Sequence, residues 1–175
     1  MKKLKALPAV FGSGALLVLG LPGTSTADAP TPELLAPAYN IQNYDSERCI
    51  LGPGTGNETA LAQAERAGYA DQKWEQWGYL GESYFFFVNQ NSRLCLLARY
   101  HQEARQFSCG QAGPDADWYV ETINSADPQW KRLVNRATGT CLVPQSRNLN
   151  ALILQAVCDY SINPPADQRW RLVNF

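Results

Sequence analysis

Runs of aromatic and branched residues, cut off by turn-forming pairs, dominate the chain beyond its first forty or so positions. YFFFVNQ (84–90), RLCLLARY (93–100) and WKRLVN (130–135) are such runs, and Asn-Ser, Thr-Gly and Gly-Pro pairs punctuate them. Apolar runs of this kind between turn residues predict short strands. Only ALAQAERAG (60–68) has a helical composition, and it is short. The pattern therefore predicts an all-β body.

The strands recur with a period. Cys49, Cys95 and Cys141 stand 46 residues apart, twice. Six positions before each is an asparagine (Asn43, Asn89, Asn135), and three before each is a hydroxyl residue (Ser46, Ser92, Thr138). Two aliphatic residues follow each cysteine: Ile50-Leu51, Leu96-Leu97 and Leu142-Val143. Later in each unit come a glutamine (Gln63, Gln106, Gln155) and an aspartate three residues before a tryptophan (Asp71/Trp74, Asp115/Trp118, Asp167/Trp170). A unit of about four short strands cannot bury its own apolar face, but three units packed around an axis can. The three tryptophans then fill equivalent pockets of a shared core.

The amino terminus reads differently. MKKLK, then an apolar small-residue stretch, then STADA, has the layout of a secretory signal peptide over residues 1–27, cleaved after Ala27. Cleavage after Ala29 would leave Pro30 next to the cut. Pro8, Pro22 and four glycines make the alternative, a membrane anchor, a poor helix. Residues 28–38, DAPTPELLAPA, read as an extended lead-in with three prolines. Losing Lys2, Lys3 and Lys5 leaves a net charge of −4, which argues against a nucleic-acid partner. No later segment is long and apolar enough to span a bilayer. The expected product is secreted, with enough chain for one real core.

Little in the sequence points to catalysis, a metal or a cofactor. His101 is the only histidine, and HExxH, GxSxG and CxxC motifs are absent. GPGTG (52–56) lacks the Lys-Ser/Thr of a phosphate cradle and reads as a surface turn. Asn57-Glu58-Thr59 is a glycosylation sequon, and Asp115 with Asp117 could do acid–base work only across a cleft.

VNRATGTCLV followed by Gln-x-Trp in the third unit resembles the ricin-B-type lectins, and the resemblance extends over residues 39–175. It implies a β-trefoil with repeats at about 39–83, 84–129 and 130–175. It also implies disulfides Cys95–Cys109 and Cys141–Cys158, with Cys49 left over as a buried thiol or a link to another chain. In such lectins a carboxylate two residues after the first cysteine, an aromatic plate two before the second, and a polar residue three before the tryptophan hold a sugar. Here the first position is Leu51, Leu97 and Val143, and the plate is Phe107 in unit two but Ala64 and Ala156 elsewhere. The last is kept as Asp71, Asp115 and Asp167. The resemblance thus implies a glycan partner, held in unit two by Phe107 and Asp115, with Arg99, Tyr100 or His101 as helpers. The bland alternatives are an ordinary core ring for Phe107 and turn-capping for the aspartates. Aliphatic residues at the carboxylate positions favour a second reading, a protein-interaction or toxin-companion subunit or a protease-blocking module.

Overall fold

The computed structural model describes residues 30–99 and 103–174; the expected signal peptide, Tyr100 and His101 lie outside the described residues. Six strands close into a barrel. They are β1 (Glu33–Asn43), β5 (Trp74–Gly78), β6 (Phe85–Asn89), β9 (Trp118–Asn124), β10 (Asp127–Asn135) and β13 (Trp170–Val173). All neighbours are antiparallel, and the β1–β13 pairing closes the ring, which leaves the barrel without a free edge.

Three hairpins cap one end. Unit one contributes β2 (Cys49–Leu51) against β4 (Ala62–Ala64), while its short β3 (Thr59–Ala60) pairs with Arg105 and Gln106 of unit two. Unit two contributes β7 (Cys95–Ala98) with β8 (Ala104–Phe107), and unit three β11 (Thr140–Pro144) with β12 (Ile153–Val157). Six barrel strands and three capping hairpins in threefold arrangement make a β-trefoil. The helix-like composition of 60–68 is overridden. Cys49, Ile50 and Leu51 pair with Ala64, Gln63 and Ala62, so the segment is a strand where tertiary pairing outweighs a weak local preference.

Cognate side chains fill the axis. Ile41, Phe87 and Leu133, then Ile50, Leu96 and Leu142, then Leu61, Ala104 and Ile153, are wholly buried with Trp74, Trp118 and Trp170. Each indole also donates its N–H to the carbonyl of Ile50, Leu96 or Leu142, at 3.1, 3.0 and 2.9 Å. The ring buries its polar atom without leaving it unpaired.

Two rings of amides, all buried except the half-buried Gln155, lock the units together. Asn89 donates to the carbonyl of Asp71, Asn135 to that of Asp115 and Asn43 to that of Asp167, each reaching back into the preceding unit and the last closing the circle. The same asparagines accept backbone N–H groups of their own turns. Gln106 reaches unit one at Pro53, Gln155 reaches unit two at Arg99, and Gln63 reaches unit three at Ser146 and Asn148. Hydroxyls of Ser46, Ser92 and Thr140 hold the glutamine oxygens. GPGTG is a turn at its exposed tip, but Gly52 is buried where Asn89 and Gln106 arrive. A Cβ there would stand 2.9 Å from Gln106 Oε1 and 3.0 Å from Asn89 Nδ2.

Disulfides join Cys95 to Cys109 and Cys141 to Cys158. Cys49 is free and wholly buried, and burial pushes its thiol from 9.0 up to about 12. Unfolding restores the ordinary thiol. The stability tied to the neutral thiol is therefore complete below pH 9.0 and lost as pH rises towards about 12. A thiol reagent at roughly pH 8 is expected to label nothing in the folded chain and one group after denaturation. Labelling of the native protein would contradict this placement.

Candidate functional site

Unit two brings Phe107 and Asp115 together through a third residue. Arg99, just past the end of β7, lays its guanidinium 4.5 Å over the Phe107 ring. It donates from Nε to Asp115 at 3.1 Å and from Nη1 to Glu58 of unit one at 2.8 Å. Phe107 is 9% exposed and packs with Val88, Cys95, Leu97 and Ala116. The surface an incoming molecule meets is therefore the outer side of a guanidinium resting on the ring, instead of the bare ring. Cation and ring attract through the quadrupole of the ring, which helps hold the flat group in place.

Asp115 is positioned twice. Its Oδ1 accepts the backbone N–H of Gly113 at 2.9 Å inside the short 3-10 turn region Pro114–Ala116, and its Oδ2 meets Arg99. Beside the pair lies a hollow of about 360 Å³, lined by Ala98, Arg99, Gly113 and Pro114 of unit two and by Ala137 and Thr138 of unit three. Among the described residues two of the five guanidinium N–H groups are engaged by carboxylates, and both carboxylates keep lone pairs that can accept from a hydroxyl-bearing ligand.

Asp71 and Asp167 belong to separate places. Each sits in a 3-10 turn, Ala70–Gln72 and Ala166–Gln168, where its main-chain carbonyl serves the asparagine ring. Each has an Oδ1 that is buried without a partner. Neither side chain caps its turn. The glutamines beside them, Gln72 and Gln168, do the turn-holding, each accepting an N–H and donating to a carbonyl of the preceding loop. Unit two has Ala116 at that position.

Two contributors are invisible in the sequence, where Glu58 is only the middle of a sequon and Thr138 only a repeat marker. Glu58 of unit one holds Arg99, and Thr138 of unit three lines the hollow. Leu97 and Val143, at two of the three lectin carboxylate positions, are packed into the interior. Among the described residues no helix is long and apolar enough to cross a membrane, and no three His, Cys, Asp or Glu side chains gather as metal ligands would.

Residues 70–155 match the ricin-type beta-trefoil lectin domain-like family. No curated protein matches the chain by sequence. Among solved structures it resembles ThreeFoil, a designed 3-fold symmetric protein, with a TM-score of 0.68 at 20% identity over 79% of this chain and 99% of that one. A mosquitocidal holotoxin aligns with a TM-score of 0.70 at 13% identity, covering 81% of this chain and 17% of the toxin's. The hemolytic lectin CEL-III aligns with a TM-score of 0.63 at 17% identity, covering 79% of this chain and 30% of its own. The chain thus spans under a third of the last two proteins.

Proposed function

We propose that this β-trefoil, ricin-type lectin-like over residues 70–155, is an exported carbohydrate-binding module with its sugar seat in the unit-two hollow. One contrast supports the seat. Asp115, paired with Arg99, lines an open hollow, whereas Asp71 and Asp167 each keep a buried, unpartnered oxygen. Two disulfides suit an oxidising compartment outside the cytoplasm.

A pyranose hydroxyl both donates and accepts, so it can bridge the Arg99 guanidinium and the carboxylates of Asp115 and Glu58. Hydrogen bonds to charged partners are the stronger kind. Without a bare aromatic plate the seat has little apolar area to cover, and a single monosaccharide should bind at millimolar strength, about −4 kcal/mol. The work is recognition, with no step of bond making or breaking.

Asp115→Asn releases one arm of Arg99 and removes a charged acceptor. It is expected to abolish retention on an immobilised glycan while changing stability by no more than about 1 kcal/mol, because both side chains are partly exposed. Asp167→Asn should leave retention intact. Equal losses from both variants, or none from Asp115→Asn, would argue against the seat. Phe107→Ala is the poorer probe, since its buried ring should cost about 3 kcal/mol or more of fold stability.

A second reading, a protein-binding companion subunit, has its own support in unit three. Val157, Tyr160 and Ile162 are 86%, 64% and 69% exposed, an apolar stretch that a partner could cover.

A further inference from the structure

A second cavity, roomier than the unit-two hollow, lies beside it. A cleft of about 650 Å³ opens at the junction of units two and three, between the β5–β6 turn and the loop that follows Cys109. Its lining includes Tyr79, Tyr84 and Phe86, with Asp117 and Arg136 at one side and Pro32 of the lead-in at the edge. The rings tilt against one another, Tyr79 lying 6.5 Å from Tyr84 and 6.2 Å from Phe86 by centroid.

The charged side is built as carefully as the aromatic one. Arg136 stacks 3.9 Å over Tyr84 and donates to Asp117 Oδ2 at 2.9 Å. It is thus fixed by a ring and a carboxylate, with most of its N–H groups still unclaimed. Burial holds the Asp117 carboxyl above its usual range while the bond from Arg136 works against that shift. The half-buried carboxylate and the guanidinium fixed beside it are oriented partners for hydroxyls.

The arrangement is repeated by the internal symmetry. Five residues before the clasp asparagine stands Tyr84 in unit two and Trp130 in unit three, and one residue after the next unit's asparagine stands Arg136 or Tyr44. Tyr44 meets the Trp130 ring edge-on at 4.7 Å, as Arg136 covers Tyr84. Unit one carries Ala38 at this position, so one junction lacks the ring. The cleft and the hollow holding Asp115 are neighbours that share Gly113 and Pro114 as a wall, but the tyrosine rings line the cleft alone.

We infer that the Tyr79–Tyr84–Asp117–Arg136 cleft is a second ligand site, and that its ligand is a pyranoside. The inference rests on the carbohydrate-binding reading above and gives it a separate seat. A pyranose has an apolar C–H face that suits tyrosine rings and a hydroxyl rim that suits a fixed carboxylate–guanidinium pair. The volume lies within the usual range for small-molecule sites, and aromatic walls with a few convergent polar groups are their usual lining. Tyrosine hydroxyls add donors and acceptors of their own.

The test is an amide NMR titration of the whole isotope-labelled protein with methyl glucoside, methyl galactoside and methyl mannoside, each raised to tens of millimolar. At least one glycoside is expected to shift the amides of Tyr79, Tyr84 and Asp117 saturably. Tyr84→Ala should weaken that binding about tenfold, the worth of one stacked ring. If that variant fails to fold, Tyr79→Ala serves in its place with the same expectation. The shifts should persist in Asp115→Asn. Three silent glycosides, shifts unaffected by loss of the tyrosine, or shifts lost with Asp115→Asn would each overturn the inference. So would a proline-rich peptide that moves these amides when the sugars do not. Silence at Tyr79 and Tyr84 with shifts at Ala98 and Thr138 ends this inference alone; the reverse ends the unit-two seat alone.

Discussion

Trp118→Ala is expected to destabilise the protein by about 3–5 kcal/mol, measured by denaturant unfolding. The indole is wholly buried in the core cluster that all three units build, and its removal leaves a cavity there. It also orphans the Leu96 carbonyl, which loses its donor in a dry interior. Against a typical total stability of about 5–15 kcal/mol, one such loss is a large fraction. Trp74→Ala and Trp170→Ala should cost similar amounts, because their carbonyl partners and burial are equivalent.

Asn135→Ala is expected to cost on the order of 3 kcal/mol, although it removes only a small polar group. The wholly buried amide donates to Asp115 and Asp117 of unit two and accepts from Ala137, Thr138 N–H and the Thr138 hydroxyl of unit three. Alanine leaves those groups unpaired at a unit boundary where water has no easy entry. Asn135→Asp keeps the acceptor but sets a buried carboxylate against two carbonyl oxygens, so a loss at least as large as that of alanine is the expected control. Because Asn135 holds the carbonyl of Asp115, the variant should also loosen the unit-two hollow, and glycan retention should fall with stability. A loss below about 0.5 kcal/mol would mean that the ring of amides does not hold the units together.

The architecture was legible because its markers are local. Cysteines 46 residues apart, asparagines six before them and tryptophans three after an aspartate are all visible along the chain, and each has a cognate place in the structure. What those asparagines do was not legible, since each serves a carbonyl in another unit that is 18 to 124 residues away. The same limit hid the covering of Phe107. The sequence shows an aromatic residue at the plate position, but nothing in it says that Arg99 will be drawn across that ring by Glu58 from unit one. The strand at 62–64 is hidden in the sequence because alanine and glutamine favour helices locally, while the pairing partner decides the outcome.

Soaking crystals with whichever glycan the protein retains tests the central claim most directly. The account predicts a sugar ring in the unit-two hollow, with hydroxyls within hydrogen-bond distance of Arg99 and Asp115. A retained glycan that leaves this hollow empty, or a protein that retains no glycan at all, would contradict it.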